Sequence, residues 1–556
     1  MKRFLLFVLA LACATQQHSS AGSLNEKVDK AFERWDSLSS PGCALAVIKD
    51  ARIVYERGYG MADLDHNIPI GPGSIFHVAS ISKQFTAAAI VLLAQEGKLS
   101  LDDEVRKYIP ELPDFGEPIT IRHLIHHTSG LRDQWELLEL AGWRYSLDLI
   151  TDDDVMAVIS RQKGLNFKPG SKHLYCNTGY TLLGQIVKRV SGQSLREFTV
   201  SRMFRPLGMN NTHFRDDHAE IVKNQAYGYI RDRSKGGFRL SVTNFDTVGA
   251  TSLLTTVEDL ALWDQNFYEP RAGGKALIEQ MIERGKLNDG KELDYAFGLT
   301  LGKYRGLATV DHAGADAGYR ADLLRFPGQH FSVACLCNLG EINPSRLARQ
   351  IADIYLAKEL APAEPTPKQS DGPKISLSEE QLAGYAGLYW NREDEQTLRI
   401  AKREKRLMVV SSRESYAIRP IAKNHFRAVG PPVEMEFEKS RESGPLTLFF
   451  KTDGATNARV FEAAQEFRPT PEQMSAYAGT YVSDEIEPIY RIVLENGGLI
   501  LKRLKLRPDK LQPTIADYFR GSIGSLHFVR DGEGQVSGFV LNAGRIRDFR
   551  FRKSGN

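Results

Sequence analysis

A serine stands three residues before a lysine at the start of a long apolar run, since Ser80 and Lys83 precede the segment Ala87 to Leu93. On a helix, residues three apart lie on one face, so the lysine amine can reach the serine hydroxyl. A hydroxyl is a weak nucleophile until a base takes its proton, and a lysine acts as a base when burial or nearby cations lower its pKa from roughly 10.4 toward neutrality. The pattern therefore predicts a closed, mostly dry pocket around these two side chains.

The same spacing has an ordinary structural interpretation. A serine and a lysine three apart also occur by chance in a long chain, and they then describe a helix N-cap followed by a surface lysine. The choice between the two interpretations depends on the motifs that follow along the chain.

Length and composition narrow the class of protein. The 556 residues exceed what one hydrophobic core holds and indicate roughly three or four domains. A hydrophobic fraction of 42% and a charged fraction of 25% are typical of soluble globular proteins. The net charge of +3 favours neither nucleic acid nor a membrane surface as a partner.

The N-terminus has the pattern of a secretory signal peptide over residues 1–21. Two basic residues are followed by the apolar run Phe4–Ala14 and then by small residues up to Ala21. The run is too short to span a bilayer comfortably, so we expect an exported protein, periplasmic or secreted, without a stable membrane span. Lipid attachment at Cys13 is the alternative, which the preceding Ala10-Leu11-Ala12 disfavours.

The other four cysteines imply no disulfide framework. Cys335 and Cys337 lie two apart in the apolar run Phe331–Cys337, where a strand directs both side chains to one side and they do not readily pair with each other. We therefore expect this pair to be core residues. No metal or organic cofactor is predicted either, because the adjacent histidines 126 and 127 do not face one site on a helix and lack an H-E-x-x-H motif.

Residues 22–360 mix helix and strand signals and form the predicted first domain. The apolar runs Cys43–Ile48 and Ile53–Tyr55, separated by a turn, indicate an antiparallel hairpin. Near the far end, apolar residues recur at helical spacing from Leu347 to Tyr355, which predicts a closing helix on the sheet. The expected fold class is α/β (α+β), an antiparallel sheet flanked by helices.

A proline-rich linker over residues 361–376 separates this domain from the rest of the chain. Beyond it the chain repeats itself, because Tyr385–Tyr389 recurs as Tyr477–Tyr481 and the alternation of apolar and polar residues continues in both copies. Two small all-β, barrel-like domains are predicted, at residues 377–466 and 467–556. Neither carries a recognisable catalytic constellation, so we expect accessory domains.

Three further motifs follow the Ser80–Lys83 pair along the chain. They are the string His126–Leu131, the triplet Tyr175–Asn177 and the triplet His312–Gly314. Together the motifs resemble the serine β-lactamase and penicillin-binding-protein superfamily, and chance does not readily produce so many in family order. The resemblance covers most of the first domain, which it identifies as a β-lactamase/DD-peptidase-like catalytic domain.

The resemblance implies a role for each matched residue. Ser80 is the acylated nucleophile, and Lys83 holds or accepts its proton. Tyr175 completes the proton shuttle, as a phenolate base or as a relay to the leaving group. Asn177 positions the substrate amide and helps to fix Lys83.

The same resemblance assigns the oxyanion hole to the backbone N–H groups of Ser80 and Ala315, the residue after Gly314. One such donor commonly contributes roughly 3–4 kcal/mol to stabilisation of the transition state. His126, His127 and Ser129, in the earlier string, are predicted to be structural and not part of the site.

The chain departs from the superfamily at His312. Most members carry Lys-Thr-Gly at this place, where the cation and the hydroxyl hold the free carboxylate of the substrate. His312 and Ala313 form a poorer carboxylate clamp, so we expect weak binding of substrates that end in a carboxylate there. The H-x-G triplet is similar to that of D-aminopeptidases and of esterases with the β-lactamase fold, and His312 could serve as a proton-transfer partner for Tyr175.

The three-domain layout is similar to that of the D-aminopeptidase of this superfamily. The expected function is therefore an exported serine hydrolase that cleaves short peptides or amides with an amino-terminal D-residue through a Ser80 acyl-enzyme. A broad carboxylesterase is the first alternative and a β-lactamase or DD-carboxypeptidase the second. A non-catalytic envelope-binding protein is a further alternative, and it predicts that Ser80→Ala changes nothing. The expected partner is a small-molecule substrate, and the oligomeric state is not predicted.

Overall fold

A computed structural model of the protein describes residues 24–362, 377–393, 395–410, 415–439, 445–452 and 458–555. The predicted signal peptide and most of the predicted linker lie outside these residues. Of the described residues, 24–139 and 143–362 form one compact unit, and residues 140–142 together with those from 377 onward form a second. Along the described part of the chain, no helix is both long and apolar enough to cross a membrane.

The first unit is built on a six-stranded antiparallel sheet. In sheet order, its strands are β10 (Thr300–Tyr304), β11 (Leu307–Asp316), β12 (Tyr319–Phe326), β13 (Phe331–Cys337), β1 (Cys43–Lys49) and β2 (Arg52–Tyr59). Short strands form smaller sheets. β3 (Met61–Asp63) pairs with β4 (Ile68–Pro69), and β7 (Tyr229–Arg231) pairs with β8 (Phe238–Leu240). β9 (Leu253–Thr255) lies between β5 (Phe76–His77) and β6 (His213–Phe214) and pairs with both. The predicted hairpin and the predicted strand at Phe331–Cys337 are confirmed.

Helices lie on both faces of this sheet, as predicted. They are α1 (residues 24–32), α2 (Ser82–Gln95), α3 (Ile121–Ile125), α4 (Gln134–Leu140), α5 (Asp152–Ser160), α6 (Asn177–Ser191), α7 (Leu195–Thr199), α8 (Arg205–Leu207), α9 (Val257–Gln265), α10 (Gly274–Met281) and α11 (Pro344–Tyr355). Helix α11 is the predicted closing helix. Asn343 caps it by accepting the Arg346 N–H, Pro344 occupies its first turn, and its buried residues Leu347 and Ile351 belong to the core beneath the sheet.

The structure contains a disulfide, which the sequence analysis did not predict. Cys43 and Cys337 lie directly opposite each other on β1 and β13 and form a disulfide. The two residues are 294 positions apart, so only the pairing of the first and last strands of the unit brings them together, and no local pattern announces it. Cys335 is a buried thiol, as predicted, and Cys176 is a second one.

The second unit consists of two closed eight-stranded antiparallel barrels. The first contains α12 (Glu379–Ala383), β14 (Gly387–Asn391), β15 (Gln396–Arg403), β16 (Arg406–Val410), β17 (Ser415–Ala422), β18 (His425–Ala428), β19 (Val433–Lys439), β20 (Leu446–Thr452) and β21 (Arg459–Ala464). The second contains α13 (Pro471–Ser475), β22 (Gly479–Ser483), β23 (Ile486–Glu495), β24 (Gly498–Lys502), β25 (Asp509–Pro513), β26 (Tyr518–Gly521), β27 (Gly524–Arg530), β28 (Val536–Ala543) and β29 (Ile546–Lys553). The predicted pair of barrels is confirmed.

The two barrels repeat the same local hydrogen bonds. In the first, the Tyr389 hydroxyl donates to the Tyr385 carbonyl at 2.8 Å, and the Tyr385 hydroxyl donates to Asn424 Oδ1 at 2.6 Å. In the second barrel, the Tyr481 hydroxyl donates to the Tyr477 carbonyl and the Tyr477 hydroxyl donates to Asp517 Oδ1, both at 2.8 Å. The sequence repeat therefore reflects one structural unit used twice.

Candidate active site

Ser80 lies in a tight turn that leads into a helix. Residues Ala79–Ile81 form a 3-10 helix and α2 begins at Ser82, so the pair with Lys83 spans two helical segments. Ala79 has a left-handed φ of 49°, a conformation that costs a residue with a side chain roughly 1–2 kcal/mol. The Ser82 hydroxyl donates to the Ala79 carbonyl at 2.5 Å and accepts the N–H of Leu253 in β9 at 3.0 Å. The strained turn is thus held in place by β9.

Lys83 is fully buried at the start of α2. Its Nζ donates to Asn177 Oδ1 at 2.9 Å and to the Ala250 carbonyl at 2.7 Å, and it lies 3.1 Å from Ser80 Oγ. Lysine is almost never fully buried unless it is paired. The surface-lysine interpretation is therefore wrong, and the geometry suits an amine that takes the proton of the Ser80 hydroxyl.

Asn177 is oriented by a buried carboxylate that the sequence analysis missed. The backbone N–H and the side-chain Nδ2 of Asn177 both donate to Asp133 Oδ2, at 2.6 and 2.9 Å. Because the amide nitrogen is held in this way, the amide oxygen faces Lys83. The only sequence signal for Asp133 is its position two residues after the string His126–Leu131, and an acidic residue at such a place is common without any role.

Tyr175 lies beside Lys83 and packs against His127. The Lys83 Nζ is 4.9 Å from the centroid of the Tyr175 ring, and the centroids of the Tyr175 and His127 rings are 4.2 Å apart. The Cys176 N–H donates to His127 Nδ1 at 3.1 Å. Burial, and next to it the charge of Lys83, holds the pKa of His127 well below its usual range. His127 is therefore a neutral ring that fixes the segment carrying Tyr175 and Asn177, in agreement with its predicted structural role.

His312 is buried and accepts a hydrogen bond from a tyrosine that the sequence analysis also missed. Its Nδ1 lies 2.7 Å from the Ala313 carbonyl, which can only accept, so Nδ1 carries the proton and Nε2 accepts from the Tyr295 hydroxyl at 3.1 Å. Burial, and next to it the charge of Lys83, lowers the pKa of His312 to about 4. The imidazole is neutral at neutral pH, and its ring centroid is 6.2 Å from that of Tyr175.

The segment His312–Asp316 of β11 runs alongside the turn that carries Ser80. The pairing of β10 with β11 ends at Asp311, so the next residues pair only with β12. A Cβ atom on Gly314 would lie 2.2 Å from the Val78 carbonyl oxygen, so only glycine permits this approach. The structure thus brings Gly314 against Val78 and Ala79, the two residues before Ser80; that the backbone N–H groups of Ser80 and Ala315 form the oxyanion hole stays a prediction.

Two groups of side chains among the described residues have the spacing of metal ligands, and neither contains a predicted site residue. They are Cys43, Cys335 and Cys337, of which the first and last form the disulfide, and the surface group Asp217, His218 and Asp246. The candidate site itself brings together the Ser80 hydroxyl, the buried Lys83 amine and the Tyr175 ring.

Several known proteins are similar to this chain in sequence or in fold. The beta-lactamase family model matches residues 28–358. Penicillin-binding protein 4* of Bacillus subtilis is 28% identical over 422 residues, which are 73% of this chain and 92% of that protein. The D-aminopeptidase of Brucella canis is 26% identical over 466 residues, 83% of each chain. The solved structure of the octameric penicillin-binding protein homologue from Pyrococcus abyssi has a TM-score of 0.55 and 26% identity, covering 79% of this chain and 99% of that one.

Proposed function

Because the chain belongs to the beta-lactamase family and is a serine hydrolase of that superfamily, we propose that it hydrolyses short peptides or amides with an amino-terminal D-residue. The observation that carries this proposal is the fully buried Lys83 amine, 3.1 Å from Ser80 Oγ and held by Asn177 and the Ala250 carbonyl. The similarity to a D-aminopeptidase over 83% of both chains supports the substrate class.

Acylation begins with a proton transfer from Ser80 to Lys83. In its neutral form the amine has two N–H bonds, which point to Asn177 Oδ1 and to the Ala250 carbonyl, and one lone pair, which is left for the Ser80 hydroxyl proton. As the proton moves to Nζ, Ser80 Oγ forms a bond to the carbonyl carbon of the substrate, and the carbonyl oxygen becomes an oxyanion. The backbone N–H groups of Ser80 and Ala315 stabilise this charge.

Collapse of the tetrahedral intermediate expels the leaving group. The bond from carbon to the amine breaks, and the amine takes a proton relayed through Tyr175 from the Lys83 ammonium. Water then attacks the acyl-enzyme, its proton passes back along the same route, and the carboxylic acid product leaves. His312, hydrogen-bonded to Tyr295, keeps a neutral surface next to Tyr175.

The neutral His312 favours this substrate class over peptides that end in a carboxylate. Binding of a carboxylate beside Tyr175 needs a cation or several donors, and the Nε2 atom of His312 is an acceptor in this structure. A β-lactamase or DD-carboxypeptidase is therefore disfavoured, and a broad carboxylesterase is the second candidate because the same acyl-enzyme serves esters.

The first experiment measures release of p-nitroaniline from D-alanyl-p-nitroanilide by the purified protein, with the L-isomer and p-nitrophenyl acetate in parallel. Ser80→Ala is the test variant, and Ser39→Ala, an exposed serine of the same unit, is the matched control. Release that depends on Ser80 and on the D-configuration supports the proposal. If only the ester is hydrolysed, the protein is a carboxylesterase. If none of the three substrates shows Ser80-dependent turnover, both the D-aminopeptidase and the esterase proposals are contradicted.

We also propose that residues 1–21 direct export and are removed. The basic start and the apolar run Phe4–Ala14 support this. Mass spectrometry of the protein recovered outside the cytoplasm should give an N-terminus close to residue 22. Recovery of only the full-length chain from the cytoplasm would contradict the proposal.

A further inference from the structure

Tyr295 lies where three elements of the active site meet, and no sequence motif includes it. Its ring centroid is 4.7 Å from that of His127, 5.8 Å from that of His312 and 6.3 Å from that of Tyr175. Tyr295 is buried. It therefore packs against the ring of Tyr175, against the histidine that fixes the Tyr175 segment, and against the histidine of β11.

The backbone of Tyr295 is held by a neighbouring segment and by His126. The Tyr295 carbonyl accepts the N–H of Gly285 at 2.9 Å, and the His126 imidazole interacts with the carbonyls of Tyr295 and Ala296. A Cβ atom on Gly285 would lie 2.7 Å from the His126 ring, so a larger residue there would displace the ring. His126 thus places Tyr295, which agrees with its predicted structural role.

Both ring nitrogens of His312 are hydrogen-bonded within the protein. Nδ1 carries the proton and donates to the Ala313 carbonyl at 2.7 Å, and Nε2 accepts from the Tyr295 hydroxyl at 3.1 Å. Tyr180 is the other tyrosine whose hydroxyl interacts with that of Tyr295, and its proton goes to the Ile125 carbonyl at 2.9 Å. The Tyr295 proton is therefore the one that satisfies His312 Nε2.

The position of His312 gives these two bonds a consequence for the substrate. The His312 ring centroid is 6.2 Å from that of Tyr175, and the Tyr175 ring centroid is 4.9 Å from the Lys83 amine. That amine lies 3.1 Å from Ser80 Oγ, so His312 borders the reacting groups on the side of Tyr175. A carboxylate bound there needs a cation or an N–H donor, and both nitrogens of the neutral ring are already bonded.

We infer that the Tyr295 hydroxyl determines the selectivity of the site against substrates with a carboxylate on the leaving group, because it holds the His312 ring in a tautomer and orientation that offer the substrate no N–H. Tyr295 is a positioning residue, since it acts through His312. Without the hydroxyl, nothing fixes Nε2 as an acceptor, and the ring is free to turn or to move its proton to Nε2. The inference rests on the proposed function for its amide substrates, whereas the tautomer of His312 is a property of the free protein.

The first test observes the His312 ring in the substrate-free, full-length protein. Long-range proton–nitrogen NMR spectra of protein labelled with 15N-histidine distinguish the Nδ1–H tautomer from the Nε2–H tautomer, and the His312 signals are those lost in His312→Gln. At pH 7 we expect the Nδ1–H tautomer in the wild type. In Tyr295→Phe, which keeps the ring and removes the hydroxyl, the share of the Nε2–H tautomer should rise at least about fivefold, the equivalent of one hydrogen bond.

The second test compares cleavage of the peptide bond in D-alanyl-D-alaninamide and in D-alanyl-D-alanine, which differ only in the carboxylate. The ratio of kcat/KM for the amide to that for the acid should be at least about tenfold in the wild type. In Tyr295→Phe the ratio should fall at least about fivefold, mainly through a lower KM for the acid. Tyr268→Phe is the matched control, because it also removes a buried hydroxyl from a ring that stacks on a histidine, His330. It should leave the ratio and the His312 tautomer unchanged.

A wild-type ring in the Nε2–H tautomer would overturn the inference, and so would a tautomer or a substrate ratio that Tyr295→Phe leaves unchanged. If Tyr295→Phe fails to fold, His312→Gln decides, because its amide supplies an N–H at the same place and should also lower the ratio.

The failure of the proposed function would be recognised separately, by the absence of turnover of both substrates. Selectivity is then measured as the ratio of affinities for phenylboronic acid and 3-carboxyphenylboronic acid, which each bond the Ser80 oxygen to boron while the hydroxyl proton passes to Lys83. The wild type should prefer the uncharged compound, and Tyr295→Phe should reduce that preference at least about fivefold. A preference that Tyr295→Phe does not change would overturn the inference.

Discussion

The interiors of the two units are built from different chemistry. The catalytic unit buries polar and charged side chains that hold one another, among them Lys83, His127, Asp133, His312 and Asp316. The second barrel is filled mainly by aromatic rings in contact, including Tyr477, Tyr481, Phe519, Phe528, Phe539 and Phe551. A buried polar group lowers the free energy of unfolding unless it is hydrogen-bonded. The stability of an aromatic interior depends instead on how closely the rings fill the available volume. We therefore expect substitutions in the first interior to change the chemistry more than the stability, and those in the second to do the reverse.

The largest effect should come from Lys83→Met. The variant removes the group placed to take the proton of Ser80, and kcat/KM should fall by about 10³–10⁴-fold. Its unfolding free energy should fall by only about 1–3 kcal/mol, because methionine fills the space of the lysine stem but leaves Asn177 Oδ1 and the Ala250 carbonyl without their donor. Steady-state kinetics with the best substrate and a thermal melt provide the two measurements.

Lys98→Met is the matched control, since Lys98 is partly exposed and pairs with Glu96 at the surface. It should leave kcat/KM unchanged. A Lys83→Met protein that unfolds easily but retains its turnover would reverse the comparison between the two interiors.

In the barrel, Phe528→Ala should cost stability without changing the reaction. Phe528 is 1% exposed and contacts Tyr477, Phe519 and Phe539. Truncation of a buried phenylalanine typically costs about 3–5 kcal/mol of unfolding free energy. Denaturant unfolding of the second unit should show this loss, while kcat/KM of the folded fraction should change by less than about threefold.

Val529→Ala is the control on the same strand. Val529 points outward and is 39% exposed, so its truncation should cost less than about 1 kcal/mol. A loss of activity from Phe528→Ala in protein that is still folded would show that the barrel contributes to the site.

Asp133→Asn tests whether the polar interior acts as one network. Asparagine has one side-chain oxygen where aspartate has two, and its amide nitrogen cannot accept the two hydrogen bonds that Asn177 donates to Asp133 Oδ2. We expect a fall in kcat of about 10–100-fold, because Asn177 would no longer hold Lys83 in position. Asp153→Asn, at an exposed position in the first turn of α5, is the comparison variant. An unchanged kcat in Asp133→Asn would mean that other contacts orient Asn177.

The sequence predicted those features that depend on local residue patterns or on motifs in a known order. The strand Phe331–Cys337, the closing helix and the repeated barrels follow from periodicity, and Ser80, Lys83 and Asn177 meet as their motifs implied. Each of these features can be recognised from the types and spacing of its residues, without knowledge of their contacts.

The residues that the sequence did not reveal are joined by contacts between distant segments. Asp316 and His77 are 239 positions apart, and the two halves of the disulfide are 294 positions apart. Tyr295 binds His312 from a loop with no motif of its own. An aspartate or a tyrosine at such a position is usual in any globular protein, so only the pairing of strands shows which of them supports the site.

The smallest effect concerns Asp322, a buried carboxyl of β12 that lies outside the catalytic constellation. Burial, and next to it the Asp311 carboxylate, raises the pKa of Asp322 to about 8. Since the folded protein keeps this proton above pH 3.8, where the unfolded chain loses it, stability should fall as the pH rises from about 4 to 8. Asp322→Asn should therefore melt a few degrees higher than wild type at pH 8.5, a gain of about 1–2 kcal/mol, and should match it near pH 4.

Asp509 of the second barrel gives the opposite expectation, because its carboxylate accepts the N–H groups of Ser522 and Ile523 at 2.9 and 3.1 Å. Asp509→Asn should therefore lower the melting temperature at pH 8.5, since one of the two donors loses its acceptor. If Asp322→Asn also lowers it, the Asp322 carboxylate is ionised and stabilised by Arg349, which lies 3.9 Å away. The catalytic unit would then bury charges for structure as well as for chemistry, and the difference between the two interiors would be one of quantity and not of kind.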